Sequence, residues 1–204
     1  MPTPSEQALE AAAEVFERHE GVMRTSDALA AGIQPRTLYW MRDSGLLEPL
    51  SRGVYHLTSH DLPAKPDVVA VMRRAPKAVL CLVSALDIHD IGTQVPAEVQ
   101  IALPREVRPP RIGYPRVRVV HMSSVSLTAG VEERAIAGVT LRVFGIAKTV
   151  ADCFKYRSTV GADVALEALQ EVVREHRVAP GEIMQYAKID RVENVIRPYL
   201  AALL

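Results

Sequence analysis

Gln34, Arg36, Thr37, Trp40 and Arg42 lie within one short stretch of chain, and their amide, guanidinium, hydroxyl and indole groups fit along little more than two helical turns. Guanidinium forks pair with the O6 and N7 acceptors of guanine, and a Gln amide pairs with the N6 and N7 of adenine. Such a set can read base edges in a major groove. Arg52, in the turn Ser51-Arg52-Gly53, adds a cation suited to a phosphate oxygen, which sets register and carries no sequence information. A second cationic stretch holds Arg105, Arg108, Arg111, Arg116 and Arg118 with Tyr114, against Glu106 alone. Pro109, Pro110, Gly113 and Pro115 mark it as a loop. Arginines around an aromatic suit a second nucleic-acid contact or a partner surface, and the same residues equally suit a solvated loop joining two strands.

The elements that must position the first set run from Thr25 to Leu57. Ser26 is expected to N-cap a short helix through Ala30, with Asp27 in the first turn, where the helix dipole favours a negative charge. Gly32 suits a sharp turn, Ile33 a buried plug, and Pro35 a first-turn position whose missing N–H costs nothing. A second helix is predicted from about Arg36 to Ser44 and stops at Gly45. Leu38 and Met41 face its core side, with Tyr39 a further core candidate, which leaves Arg36, Thr37, Trp40 and Arg42 for the other face. Leu46-Leu47 and Val54 to Leu57 read as two short strands around the Arg52 turn. Helix, glycine turn, helix and ribbon make a winged helix-turn-helix, a shape that places one helix in the major groove. The same shape also serves as a protein-interaction module.

Charge sets a limit on this reading. Residues 1–60 carry five Arg and eight acids, but five of those acids lie at or before Glu20. From Arg24 to Leu57, four Arg face Asp27, Asp43 and Glu48. One such unit would bind phosphate modestly, so a dimer or a second basic surface is expected. The 204 residues are 49% hydrophobic and formally neutral, which fits a soluble chain of one or two domains and argues against a non-specific nucleic-acid coat. No apolar run is long enough to span a membrane, and the acidic, helix-forming N-terminus is unlike a secretory signal. Cys81 and Cys153 sit in apolar surroundings and read as reduced core residues of a cytoplasmic protein.

A first helix is predicted from about Ser5 to His19, with Leu9, Ala12, Ala13 and Phe16 on one face. Residues 1–60 thus form the winged domain, and Ser59-His60-Asp61 with Pro63 and Pro66 mark a linker. Residues 66–204 form a second domain. It opens with a helix over 67–74, followed by strands over 78–83, 98–103 and 117–122 and a hairpin of 131–136 with 139–144. Helices are predicted over 146–156, 162–175, 180–189 and 192–203. The fold class is α+β: a winged helix-turn-helix, then a small mixed or antiparallel sheet followed by C-terminal helices.

Ser84, Asp87, His89 and Asp90 cluster where a strand meets a helix. A nucleophile would need a glycine elbow and a metal a paired histidine, and neither flank supplies one. Ser84 as a helix cap with Asp87 at N3 explains the same residues. Lys148, Asp152 and Lys155 share one helix face; they suit a phosphate or substrate site, but read first as an ion-paired surface, with Asp152 partly buried beside an arginine. No cofactor, no metal site and no catalytic residue is expected. An enzyme would need acids clustered on sheet edges, and the strands carry almost none.

With these landmarks in order, the chain resembles the AbiEi-like antitoxin family of type IV, abortive-infection toxin–antitoxin systems. The resemblance rests on the winged unit closing on Arg52-Gly53-Val54-Tyr55, on Ser84-Ala85-Leu86 followed by His89, and on the helix Ala147 to Phe154, which looks like the family's threonine–aspartate–cysteine segment. Gly161, Ala165-Leu166 and Tyr186-Ala187 follow, so it runs from about residue 10 to the C-terminus. It implies a transcriptional regulator that binds an operator, expected to be an inverted repeat, and represses its own operon. It also implies a C-terminal domain that counters a nucleotidyltransferase-like toxin, directly or indirectly. The extra nuclease-like domain of some relatives is not expected here. The alternatives are a module that neutralises a toxin without DNA, or a degenerate nucleotidyltransferase-like or nuclease-like enzyme.

Overall fold

The computed structural model describes residues 3–204 and is α+β, with two sheets and helices around each. The chain divides into two compact units. The first holds the residues up to Pro76 together with Pro110–Arg116 and Ala135–Leu141; the second holds Lys77–Pro109, Val117–Arg134 and Arg142–Leu204.

In the first unit, α1 (Glu6–Glu17) starts at Ser5, whose hydroxyl accepts from the N–H of Ala8 at 3.3 Å. Its apolar stripe buries Ala12 and Phe16. β1 (Val22–Arg24), α2 (Thr25–Ala30), α3 (Pro35–Asp43), β2 (Leu47–Ser51), β3 (Val54–Leu57) and α4 (Pro66–Arg74) follow. β3 is the central strand of a three-stranded antiparallel sheet, pairing Met23 with Tyr55 on one side and Leu47 with Leu57 on the other. The strand β1 has only three residues and was not expected from the sequence pattern. Phe16, Met23, Ala28, Ile33, Leu38, Met41, Leu47, Tyr55 and Leu57 form one buried cluster that holds the helices to the ribbon. Ser26 does not cap α2 as the sequence reading had it. The helix begins two residues earlier, after Arg24, and the Ser26 hydroxyl donates to Asp27 at 3.0 Å.

The second sheet has five strands in the order β6-β5-β4-β8-β7. They are β4 (Val79–Leu80), β5 (Val99–Pro104), β6 (Val117–Met122), β7 (Val131–Ile136) and β8 (Val139–Phe144). β5 runs antiparallel to β4 and parallel to β6, in register from Val99 opposite Val117 to Pro104 opposite Met122. Parallel partners need a long crossover, and the segment 105–116 is that connection. The strand expected over 78–83 ends at Leu80, because buried Leu82 takes a positive φ of 50° and turns the chain into α5 (Leu82–Ile88). α6 (Ser124–Thr128), α7 (Ile146–Lys155), α8 (Arg157–Val160), α9 (Ala162–Arg174), α10 (Pro180–Asp190) and α11 (Glu193–Leu203) complete the unit. α7 is buried along nearly its whole length and packs with α5, α9 and α10, so one apolar core runs from Val79 to Leu200. Cys81 and Cys153 are free thiols inside it.

Phe16 is fully buried, so Phe16→Ala should cost roughly 3–5 kcal/mol. Trp40 is the single tryptophan and packs against the same cluster, so its fluorescence in a denaturant titration should show a lowered midpoint.

Candidate nucleic-acid interface

α3 is placed from below. Gly32, at a φ of 95°, makes the turn out of α2, and Ile33 plugs the core. Pro35 opens the helix, and Gly45, at a φ of 80°, ends it. Leu38 and Met41 lie inward, and Thr37, one turn before Met41, is turned inward with them and is 6% exposed. The sequence reading put Thr37 on the outer face; the structure buries it. Tyr39 goes the other way and is 36% exposed. Trp40 is half-buried at the edge of the core. The outward face of α3 is therefore Gln34, Arg36, Tyr39, Arg42 and Asp43. In a helix of nine residues Thr and Tyr are both amphipathic enough for either side, and composition did not sort them.

Arg42 lies 5.1 Å from the Tyr39 ring centroid and 2.6 Å from the Asp43 carboxylate. Hydrogen bonds to Asp43 and to the Tyr55 side chain raise its pKa. Its charge on this face is thus partly offset by Asp43. Arg36 reaches the carbonyl of Thr3 with Nη2 at 3.2 Å. Arg52 is exposed in the β2–β3 turn, where Gly53 takes a φ of 76°.

The six residues of the second cationic stretch are not gathered in either unit. Arg105, Arg108 and Arg118 belong to the second, Arg111, Tyr114 and Arg116 to the first. All six are exposed, Tyr114 by 63%. Arg118 lies on β6 and is ion-paired with Glu98.

Inside the second unit the polar residues are committed to structure. Ser84 does not cap α5: it lies within the helix, and its hydroxyl accepts the N–H of Gln100 at 2.9 Å. The cap role falls to Gln100, whose side-chain oxygen accepts the N–H of Val83 at 2.8 Å. His89 is buried, and its Nε2 donates to the Phe144 carbonyl at 2.8 Å, which leaves Nδ1 as the acceptor facing Arg134 at 3.4 Å. Burial lowers its pKa. Among the described residues no group of three His, Cys, Asp or Glu is arranged to hold a metal ion.

The Lys148 face is not a surface. Lys148 and Asp152 are fully buried, and the partner of Asp152 is Lys148 at 2.5 Å, not an arginine. Lys148 also donates to Asp190 at 3.0 Å and to Ser126 at 3.3 Å. Ser126 in turn donates to Asp190 at 2.8 Å, and Lys155 reaches Asp190 at 3.0 Å. Asp190 and Ser126 were missed because they lie far along the chain, on α10 and α6, and nothing in the periodicity links them to α7. Burial, with Asp190 beside it, pushes the Asp152 carboxyl up to about 8 despite Lys148. Burial acts on Asp190 in the same direction but is outweighed by Lys148, Lys155 and the Ser126 hydroxyl, which hold it below the ordinary carboxylate value.

Residues 10–58 match the sequence model of the family described as "Transcriptional regulator, AbiEi antitoxin". The match covers less than half of the chain and runs from within α1 to the end of β3. Among curated proteins none matches. The crystal structure of the RV2827C protein from Mycobacterium tuberculosis is similar in fold, with a TM-score of 0.59 at 15% identity, covering 100% of this chain and 82% of that one. The first unit is thus a winged helix carrying the sequence signature of AbiEi antitoxin regulators, and its likeness to the solved structure extends the fold over the whole chain. No helix among the described residues is long and apolar enough to cross a membrane.

Lys148→Met should cost roughly 3–5 kcal/mol, because it removes the cation that Asp152, Asp190 and Ser126 share in a buried network. The pH dependence has a definite sign. Folding raises the Asp152 pKa, so its contribution to stability is full below the ordinary carboxyl value and declines as pH rises toward about 8. Asp152→Asn cannot titrate and should flatten that decline in thermal melts followed by circular dichroism.

Proposed function

We propose that the chain is a DNA-binding transcriptional regulator that serves as antitoxin and autorepressor of a type IV toxin–antitoxin operon. The observation that carries this reading is the outward face of α3, set beside an arginine-tipped ribbon inside the segment that matches AbiEi regulators. Arg36 and Arg42, with Gln34 at the helix start, read base edges in the major groove. Tyr39 takes the outward place first given to Thr37, and Trp40 supports the helix from its half-buried position. Arg52 on the ribbon turn holds a phosphate and fixes register.

The operator is an inverted repeat, since a single unit of this charge binds weakly and two copies double the contacts. The second unit counters a nucleotidyltransferase-like toxin, directly or indirectly. The arginines of 105–118 are surfaces for nucleic acid or for that partner. The protein acts in the cytoplasm and is not an enzyme. Support for the last point comes from Ser84, His89, Lys148 and Asp152, all of which spend their hydrogen bonds inside the core.

Arg36→Ala should weaken the operator roughly tenfold or more and random DNA far less, as expected for loss of a base contact. Arg52→Ala should weaken both alike and lower the salt slope by about one. Competition binding with the two duplexes separates these outcomes, and equal losses for both variants would refute this division of labour.

A further inference from the structure

An open cleft of about 370 Å³ in the first unit is lined by Arg24, Thr25, Ser26, Arg52, Gly53 and Arg74. These residues come from the end of β1, the start of α2, the ribbon turn and the end of α4. Three arginines thus meet in a lining that contains no acid. Like charges gathered this way repel, and the fold holds them in place. Arg74 is anchored by two donors, Nη1 to the Arg52 carbonyl at 3.1 Å and Nη2 to the Arg111 carbonyl at 2.8 Å. A guanidinium carries five N–H donors, so the anchor leaves Arg74 both its charge and further donors.

Arg73 adds to the imbalance. Its side chain is 12% exposed, its nearest carboxylate is Asp27 at 4.0 Å, and its Nε and Nη2 have no hydrogen-bond partner. Burial and the proximity of Arg24 both lower its pKa, against Asp27. Arg73 is not part of the lining and adds only its charge, beside Arg24, to this side of the unit.

We propose that this cleft binds a phosphate group, supplied by the backbone of the duplex that α3 faces. Arginine forks match phosphate oxygens, and three of them line this wall. The cleft opens to solvent, as a phosphate that remains part of a polymer requires. Arg52 belongs to both the cleft and the ribbon turn, so a strand held at the turn is led on to Arg24 and Arg74. The choice of DNA as the source rests on the DNA-binding reading above; the phosphate site itself does not.

The test uses the full chain as wild type, Arg24→Gln and Arg24→Lys, with thermal melts to show that each is folded. Anisotropy titrations with a random-sequence duplex across salt concentration read the first arm. Arg24→Gln should reduce the slope of log K against log salt by about 0.9, with equal loss on operator and random DNA, while Arg24→Lys keeps the slope. The second arm adds inorganic phosphate at low ionic strength and follows the arginine Nε–Hε signals by NMR. Saturable shifts at Arg24, Arg52 and Arg74 are expected. A folded Arg24→Gln protein with unchanged slope and affinity overturns the DNA assignment. If the wild type binds no duplex but phosphate moves those signals, the DNA reading fails and the site stands for a free phosphorylated ligand. If phosphate leaves all of them unmoved and the slope is unchanged, the site is overturned.

Discussion

The apolar cluster under α3 is the constraint on which the interface depends. A nine-residue helix is too short to persist alone, so packing of its inner stripe holds it. Once Leu38 and Met41 join Phe16, Leu47 and Tyr55 in that cluster, the 100° step between helical residues puts Arg36 and Tyr39 on the far side, while Thr37 and Arg42 flank the stripe. Thr37 goes in, and Arg36, Tyr39 and Arg42 go out. The same cluster takes Tyr55 and Leu57 from the central strand of the small sheet, so helix and ribbon are fixed by one set of contacts. The cations that face solvent are therefore consequences of where the apolar residues fall.

The second unit rests on a different kind of interaction. Lys148, Asp152, Asp190 and Ser126 join three helices, α7, α10 and α6, through hydrogen bonds that are all buried. Removing charges from water is expensive, and such a network stabilises only when its members satisfy one another. One oxygen of Asp152 has no partner, consistent with the raised pKa of that carboxyl. Geometry this specific permits few alternative packings of the C-terminal helices. It also buries Lys148 and Asp152 completely.

The sequence was most legible where periodicity is strong. The ends of α1, α3, α9 and α10 fall within two residues of their expected places, and β6, β7 and β8 have the expected bounds. It was least legible where the determinant is tertiary. β1 is three residues long and exists because β3 offers it an edge. α6 and α8, of five and four residues, carry too little pattern to announce themselves. The apolar run 78–83 cannot reveal that Leu82 bends out of the strand. At the interface, the residue types of α3 were readable, but the sides of Thr37 and Tyr39 were not. The cleft of Arg24, Arg52 and Arg74 was invisible, because it is assembled from four separate elements.

The most direct test of the account is a gel shift of the wild-type protein on the DNA upstream of its own gene, at about physiological salt, against scrambled competitor. The account predicts a shift that survives a large excess of scrambled DNA and is lost to unlabelled upstream DNA. A shift competed equally by both, or none at all, would contradict a regulator that reads sequence through α3.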